Sequence, residues 1–191
     1  MRRSEIRDHL LDTALRLFNQ HGYHATGVDL IIAEARVAKT TLYRHFATKE
    51  ELILAALERR DEESRNAMRS FVEQRAREPR ERILMTFTYL EEVIGDKHFN
   101  GCIFANAAGE FKEVGDPVFQ AALTHKKLTR AYFEELAYAA QLSDPRRIAA
   151  EVNLLHEGAV AVAQMTRSTS SVRHARAMAQ QLLSLERVLN S

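Results

Sequence analysis

Val37-Ala38-Lys39-Thr40-Thr41-Leu42-Tyr43-Arg44-His45-Phe46-Ala47-Thr48-Lys49 sets two large apolar residues four apart, Leu42 and Phe46, among hydroxyls, a phenol and cations. Wound as an α-helix, the segment places Leu42 and Phe46 on one face and turns Thr40, Tyr43 and Arg44 out from the other. So short a helix is not stable alone in water and needs neighbours to take up its apolar face. Its polar face then presents donors that suit a groove lined with acceptors. Taken alone, the same residues also fit a solvated surface helix.

The residues ahead of this segment supply the neighbours. Met1-Arg2-Arg3 is a short basic arm before Ser4, a residue type that caps helices. From Ile6, the positions Leu10, Ala14, Leu17 and Phe18 repeat at helical spacing up to Gly22, a natural stop. Thr26 and Gly27 precede a second helix over residues 28–35, with Val28, Ile31 and Ile32 inward, and Arg36-Val37-Ala38 forms the turn into the quoted segment. Helix, tight turn and helix in close succession make a helix-turn-helix, whose second helix enters the major groove through its N-terminal residues.

The joint order of Thr41-Leu42-Tyr43-Arg44-His45-Phe46 and Thr48-Lys49-Glu50-Glu51-Leu52, with Phe18, Gly22, Tyr23, Thr26, Ile31, Ala35 and Val37 upstream, resembles the DNA-binding domain of the TetR family of transcriptional regulators. The resemblance covers the first third of the chain. It implies an all-α protein of about nine helices: a three-helix DNA-binding domain over residues 1–48, with the recognition helix near 38–46, and a helical-bundle ligand-binding and dimerisation domain over 49–191. It implies a homodimer on double-stranded, palindromic operator DNA, a repressor released by a small-molecule inducer. By the same matching, Lys39 and Thr40 are expected at base edges, and Thr41 and Tyr43 at bases or phosphates. His45, Lys49 and Thr26 are expected at phosphates, and Arg44 at phosphate or in solvent. One departure stands out: where relatives commonly have Gly, Val and Ser in the turn, this chain has Arg36, Val37 and Ala38. The turn then lacks glycine's backbone freedom and the next helix its serine cap, local costs of about 1 kcal/mol each.

Composition agrees with a helical regulator. Gly and Pro are scarce, at 7 and 3 of 191 residues. Residues 1–49 carry eight Lys and Arg against five Asp and Glu, so the overall charge of +1 hides a basic head on a mildly acidic body. The single cysteine, Cys102, excludes an internal disulfide and a Cys-rich zinc site. No secretory leader pattern opens the sequence, and no run approaches about 18 apolar residues. A cytoplasmic location without membrane partners is therefore expected.

Thr48 with Glu51 forms a capping box that opens a long helix to about Arg77. Its apolar positions are interrupted by the charged run 58–66, read as a solvated face where a helix leaves one core for another. Further helices are expected after Pro79 and after Pro117, where Val118, Ala122, His125, Thr129, Tyr132, Leu136 and Ala139 share a stripe, and the nearly charge-free segment 102–111 between them is expected to be buried on most sides. Polar groups inside apolar stripes need partners or line a cavity, which makes Cys102, Phe104, Asn106, Phe111, His125 and Tyr132 candidates for a ligand pocket. The last two helices open near Pro145 and Ser170 and carry more apolar surface than one core needs. Leu155, Gly158, Val162, Met178, Leu182 and Leu185 are the candidates for a dimer interface built as a four-helix bundle, with Val188 and Leu189 extending the pattern.

Two other readings remain open. An all-helical enzyme or carrier would use His98, His125 and His156 with Cys102 or Glu157, although none of these shows His-Glu-x-x-His or Cys-x-x-Cys spacing. A DNA binder without an inducer, whether constitutive, partner-controlled or an activator, shares every feature above. No metal, cofactor or catalytic residue is expected.

Overall fold

The helical periodicities are realised as nine helices in the computed structural model, which describes residues 3–186. They are α1 (Arg3–His21), α2 (Val28–Ala35), α3 (Lys39–His45), α4 (Lys49–Arg75), α5 (Pro79–Gly95), α6 (Ile103–Glu110), α7 (Pro117–Ala139), α8 (Pro145–Thr166) and α9 (Ser170–Leu185). Met1 and Arg2 of the basic arm, and Val188 and Leu189 of the last apolar row, lie outside the described residues. Ser4 falls inside α1, which begins one residue before it.

Several boundaries follow local chemistry. The Glu51 amide donates to Thr48 Oγ1 at 3.0 Å, and Glu51 Oε2 accepts from the Ala47 amide at 2.7 Å, a reciprocal cap at the start of α4. Proline occupies the first turn of α5 and of α8, where its missing amide costs nothing. Asp144 caps α8 by accepting from the Arg147 amide.

The chain forms two compact units. The first holds the residues up to Glu63 together with Ile103–His125, and the second Ser64–Cys102 together with the residues from Lys126 on. The division falls inside α4 and α7 rather than after residue 48. The core of the first unit contains Leu10, Leu17, Phe18, Tyr23, Ile31, Leu42, Phe46, Leu52 and Leu57, all at most 2% exposed. The charged run of α4 is not simply solvated: Arg59 donates to Asp12 Oδ1 at 2.6 Å, to the Asp8 carbonyl at 3.1 Å and to Glu63 Oε1 at 2.7 Å, tying α4 to α1.

The second unit is a helical cluster of α5, α8, α9 and the adjoining parts of α4 and α7. Its core includes Val72, Phe87, Phe133, Ile148, Val152, Ala163 and Ala179. Along α7 the buried stripe shifts, so that Phe133, Ala137 and Ala140 are buried while Ala139 is exposed. A helix of 3.6 residues per turn rotates its buried face relative to a straight row of fours and threes.

The turn between α2 and α3 carries the strain expected of it. Arg36 adopts a left-handed backbone, φ 55 and ψ 44, as its amide donates to Ala33 O and the Val37 amide to Ile32 O. No side chain caps α3, whose N-cap residue is Ala38. Arg36→Gly should therefore stabilise the protein by about 1 kcal/mol, and Ala38→Ser by a similar amount. Chemical unfolding of each variant checks this, and an unchanged or lowered midpoint for both would show that the turn is not strained.

Candidate nucleic-acid interface

On α3, Leu42 and Phe46 are 0% and 1% exposed, whereas Tyr43 is 44% exposed. Lys39, Thr40 and Arg44 are exposed with Tyr43, and Thr41 and His45 are half-buried. The apolar pair thus anchors a short helix whose other side presents a continuous set of hydrogen-bonding groups.

Charge is organised around this ridge. Lys39 Nζ donates to Asp29 Oδ1 at 2.9 Å, an exposed pair between the two helices of the motif, and that hydrogen bond raises the Lys39 pKa. His45 is pushed the other way, first by desolvation and then by the nearby Arg3, Arg44 and Arg7. The Arg7 guanidinium also lies 5.3 Å from the Phe46 ring centre. Guanidinium groups gathered at one edge match the geometry of phosphate oxygens. Sequence reading had missed Arg7 and Asp29, because their relevance depends on how α1 and α2 pack rather than on any local motif.

Two expected phosphate contacts are placed differently. Thr26 is 0% exposed, and its hydroxyl sits 2.6 Å from the Gly22 carbonyl and 3.3 Å from that of Leu17, so it secures the end of α1. A phosphate there would meet the first amides of α2, which no side chain caps. Lys49 is half-buried and donates to the His24 carbonyl at 3.4 Å, and desolvation lowers its pKa against the pull of Glu110.

Glu110, at the end of α6, is a partner that sequence reading did not find. Its Oε1 accepts from the Tyr23 amide at 2.8 Å and its Oε2 from the His24 amide at 2.7 Å. His24 Nε2 lies 3.2 Å from the Glu110 carbonyl, and Tyr23 Oη donates to the Ile103 carbonyl at 2.9 Å. Both ends of α6 are thereby bound to the turn that follows α1. Gly22 adopts φ +87, and a Cβ there would stand 2.8 Å from Glu110 Oε1, so the carboxylate would have to shift.

The pocket candidates separate. Phe104 stacks on His125 with ring centres 3.6 Å apart, and His125 Nδ1 is 2.7 Å from Asp61 Oδ1. Phe111 instead packs on Tyr23 and His24, at 6.0 and 4.6 Å. These residues and Asn106 belong to the first unit, and Cys102 and Tyr132 to the second. There Lys126 Nζ donates to Cys102 Sγ at 3.3 Å and to both Glu157 oxygens at 2.8 and 2.6 Å, while Tyr132 packs under Arg69. The single stripe expected on α7 thus contributes to two separate interiors.

His156 lies in the core of the second unit between Phe87 and Phe133, whose ring centres are 5.4 and 5.3 Å away. Burial lowers its pKa to about 4, against a raising effect from Glu157 and a hydrogen bond to the Thr86 backbone. His98 is exposed. Among the described residues no three His, Cys, Asp or Glu side chains gather in a way that could hold a metal ion.

Of the dimer candidates, Val162, Met178, Leu185 and Gly158 are exposed, and Leu155 and Leu182 are half-buried against the core. Leu154 and Met165, at 73% and 77% exposed, add to the same helix and had not been singled out.

An exposed donor ridge on the second helix of a helix-turn-helix, with cations at its edge, defines a DNA-binding regulator. Residues 10–56 match the profile of the bacterial regulatory proteins of the tetR family. The HTH-type transcriptional regulator YjdC of Escherichia coli is 23% identical over 181 residues, 95% of each chain. The HTH-type transcriptional activator FasR of Mycolicibacterium smegmatis is 49% identical over 57 residues, 30% of this chain and 26% of that one. A TetR-family transcriptional regulator from Streptomyces coelicolor has the same fold with a TM-score of 0.86, at 29% identity over 95% of each chain. The reduced form of E. coli NemR superposes with a TM-score of 0.85 at 20% identity, covering 98% of this chain and 100% of that one. Residues 10–56 thus resemble the DNA-binding domain of the tetR-family regulatory proteins, and the chain has the fold of the TetR-family transcriptional regulator from Streptomyces coelicolor. Among the described residues, no helix is long and apolar enough to cross a membrane.

The lowered pKa of His156 makes the fold sensitive to acid. Between the free-histidine value near 6.5 and about 4, the unfolded chain binds a proton that the folded chain does not. Stability from this residue is therefore complete above pH 6.5 and falls as the pH drops through that window, by about 3 kcal/mol in all. His156→Phe should flatten this part of the stability profile in chemical unfolding at a series of pH values. An unchanged slope would place the proton elsewhere.

Proposed function

We propose that the protein is a homodimeric repressor in the cytoplasm that binds a palindromic operator and is released from it by a small molecule. The observation that carries this reading is the α3 ridge, with polar groups outward above Leu42 and Phe46. In the working division, residues 1–48 read DNA and residues 49–191 serve dimerisation and ligand response.

Entry of α3 into the major groove puts Lys39 and Thr40 against base edges, where an ammonium bonds guanine acceptors and a threonine methyl meets thymine. Thr41 and Tyr43 reach bases or the backbone. Arg44 and His45 meet phosphate together with Arg7, and Lys49 and the first amides of α2 beside Thr26 meet it on the other flank. One short helix reads too few base pairs for selective binding, so two half-sites are needed. The exposed apolar residues of α8 and α9 support the pairing, because a monomer gains nothing by leaving Leu154, Val162, Met165, Met178 and Leu185 in water. Gly158 fits the same purpose: a Cβ there would meet nothing within 4 Å in the single chain, so its lack of a side chain serves approach by a second one.

Inducer control requires that the ligand prefer a conformation unable to span both half-sites. The grip of α6 on the turn after α1 provides a route, since a shift of Glu110 moves the Tyr23 and His24 amides with it. A regulator with the same DNA-reading helix but no inducer would lack any compound that changes operator occupancy.

Selection of bound fragments from random duplex DNA gives the operator on which these assignments are checked. Tyr43→Ala should weaken binding to it about tenfold or more while leaving helical content and oligomeric state unchanged. Full affinity in that variant would remove Tyr43 from the interface. Val162→Glu combined with Met178→Glu should yield a folded monomer in sedimentation, with operator binding lost. A dimer that persists in this variant would put the interface elsewhere.

A further inference from the structure

We propose that α8 carries an effector site in the second unit, read by His156 and Asn153, for a neutral molecule with an apolar body and a hydroxyl or N–H group. His156 is only 8% exposed and its Nε2 has no hydrogen-bond partner, and Asn153 Oδ1, one turn earlier on the helix, is also buried without one. Residues three apart on a helix share a face.

The chemistry of these atoms selects the ligand. The imidazole is bonded to the Thr86 backbone, and with Nε2 unpartnered that bond belongs to Nδ1. A ring that donates from Nδ1 and is kept neutral by burial has a lone pair on Nε2, so it accepts. Asn153 Oδ1 accepts as well. Two buried acceptors without donors are unfavourable, a cost that a donor group brought by a ligand would recover.

The surroundings favour an uncharged, apolar body. Phe87 and Phe133 flank the imidazole. The nearest charges, Lys126 and Glu157, already neutralise each other through both carboxylate oxygens. An ion would have to shed its water with no free counter-charge to meet it.

The site also sits where it can act. Glu157, the residue after His156, holds Lys126, and Lys126 donates to Cys102. Cys102 and Lys126 are the last residue before and the first after the segment Ile103–His125, which belongs to the first unit and contains α6. A ligand that repositions α8 at His156 therefore acts on the polar contact that holds both ends of that segment. The assignment deepens the inducer reading and rests on it only for this consequence.

The test uses the full chain in calorimetric titrations with phenol, benzyl alcohol and indole, each paired with its methylated counterpart: anisole, benzyl methyl ether and N-methylindole. At least one donor should saturate a single site per chain and bind about tenfold tighter than its methylated form. The preference should hold from about pH 5.5 to about pH 8, where the ring stays neutral. His156→Leu should reduce it to about twofold or less, and His156→Gln, which keeps an acceptor, should retain part of it. Without any variant, the 15N resonance of His156 Nε2 should move on saturation with the donor and not with its methylated form. Equal binding of both members of every pair, no saturation by any donor, or a preference that survives His156→Leu would overturn the site and leave ordered water as its occupant. Operator affinity is measured separately. A His156-dependent donor that leaves operator binding unchanged supports the site and sinks the inducer reading. Release by a compound indifferent to His156→Leu with no donor preference does the reverse.

Discussion

A single carboxylate holds the DNA-reading unit to the segment that follows α5. The amides of Tyr23 and His24 lie just past the end of α1, where no helical partner is available, and Glu110 takes both at 2.8 and 2.7 Å. Hydrogen bonds to an ionised acceptor are worth roughly 1.5–3 kcal/mol each, against about 1 for neutral pairs. Tyr23 completes the attachment from the other side: its ring stacks on Phe18 at 5.0 Å, while its hydroxyl reaches the carbonyl at the start of α6. The turn that sets the angle of α1 is thus determined by groups about 80 to 87 residues away. Without them, α1, α2 and α3 would keep their apolar core but lose a fixed relation to α6.

The same logic explains how the chain is partitioned. Segment Ile103–His125 lies with the first unit although it is flanked on both sides by residues of the second. Its two ends are drawn together by Lys126, which meets Cys102 on one side and Glu157 on the other. Lys126 is partly buried, and although desolvation is the largest influence on it, the Cys102 sulfur and the Glu157 carboxylate beside it keep its pKa raised. A charged knot of this kind adds little to stability compared with an apolar replacement, but it permits few geometries.

How much of this could be read in advance divides along one physical line. Helix positions, the capping box at Thr48 and Glu51, the proline starts of α5 and α8, and the strained turn at Arg36 all depend on interactions within a few residues. Periodicity and capping rules capture them. Leu42 and Phe46 as anchors, with Tyr43 outward, follow from the same spacing. That the Thr26 hydroxyl is held by the Gly22 and Leu17 carbonyls is revealed only by packing. Glu110, Arg7 and Asp29 were missed for the same reason: each is an ordinary charged residue until the fold brings it beside Tyr23, Phe46 or Lys39. The pocket candidates come from the charge-poor segment 102–111 and the apolar stripe of α7, and the structure divides that stripe between two cores at His125 and Lys126.

The Asp29–Lys39 pair has a consequence for selectivity. An exposed ion pair of this type adds little to stability, so in the proposed binding mode Lys39 leaves it readily when a guanine edge offers two acceptors. At a base pair that offers no such acceptors, the ammonium stays with Asp29. The carboxylate, 82% exposed at its side chain, is then neutralised by Lys39 and turns no uncompensated charge toward the polyanion. In the proposed binding mode the pair therefore holds Lys39 beside α3 until a base edge competes for it, so a wrong sequence loses that contact without meeting added repulsion.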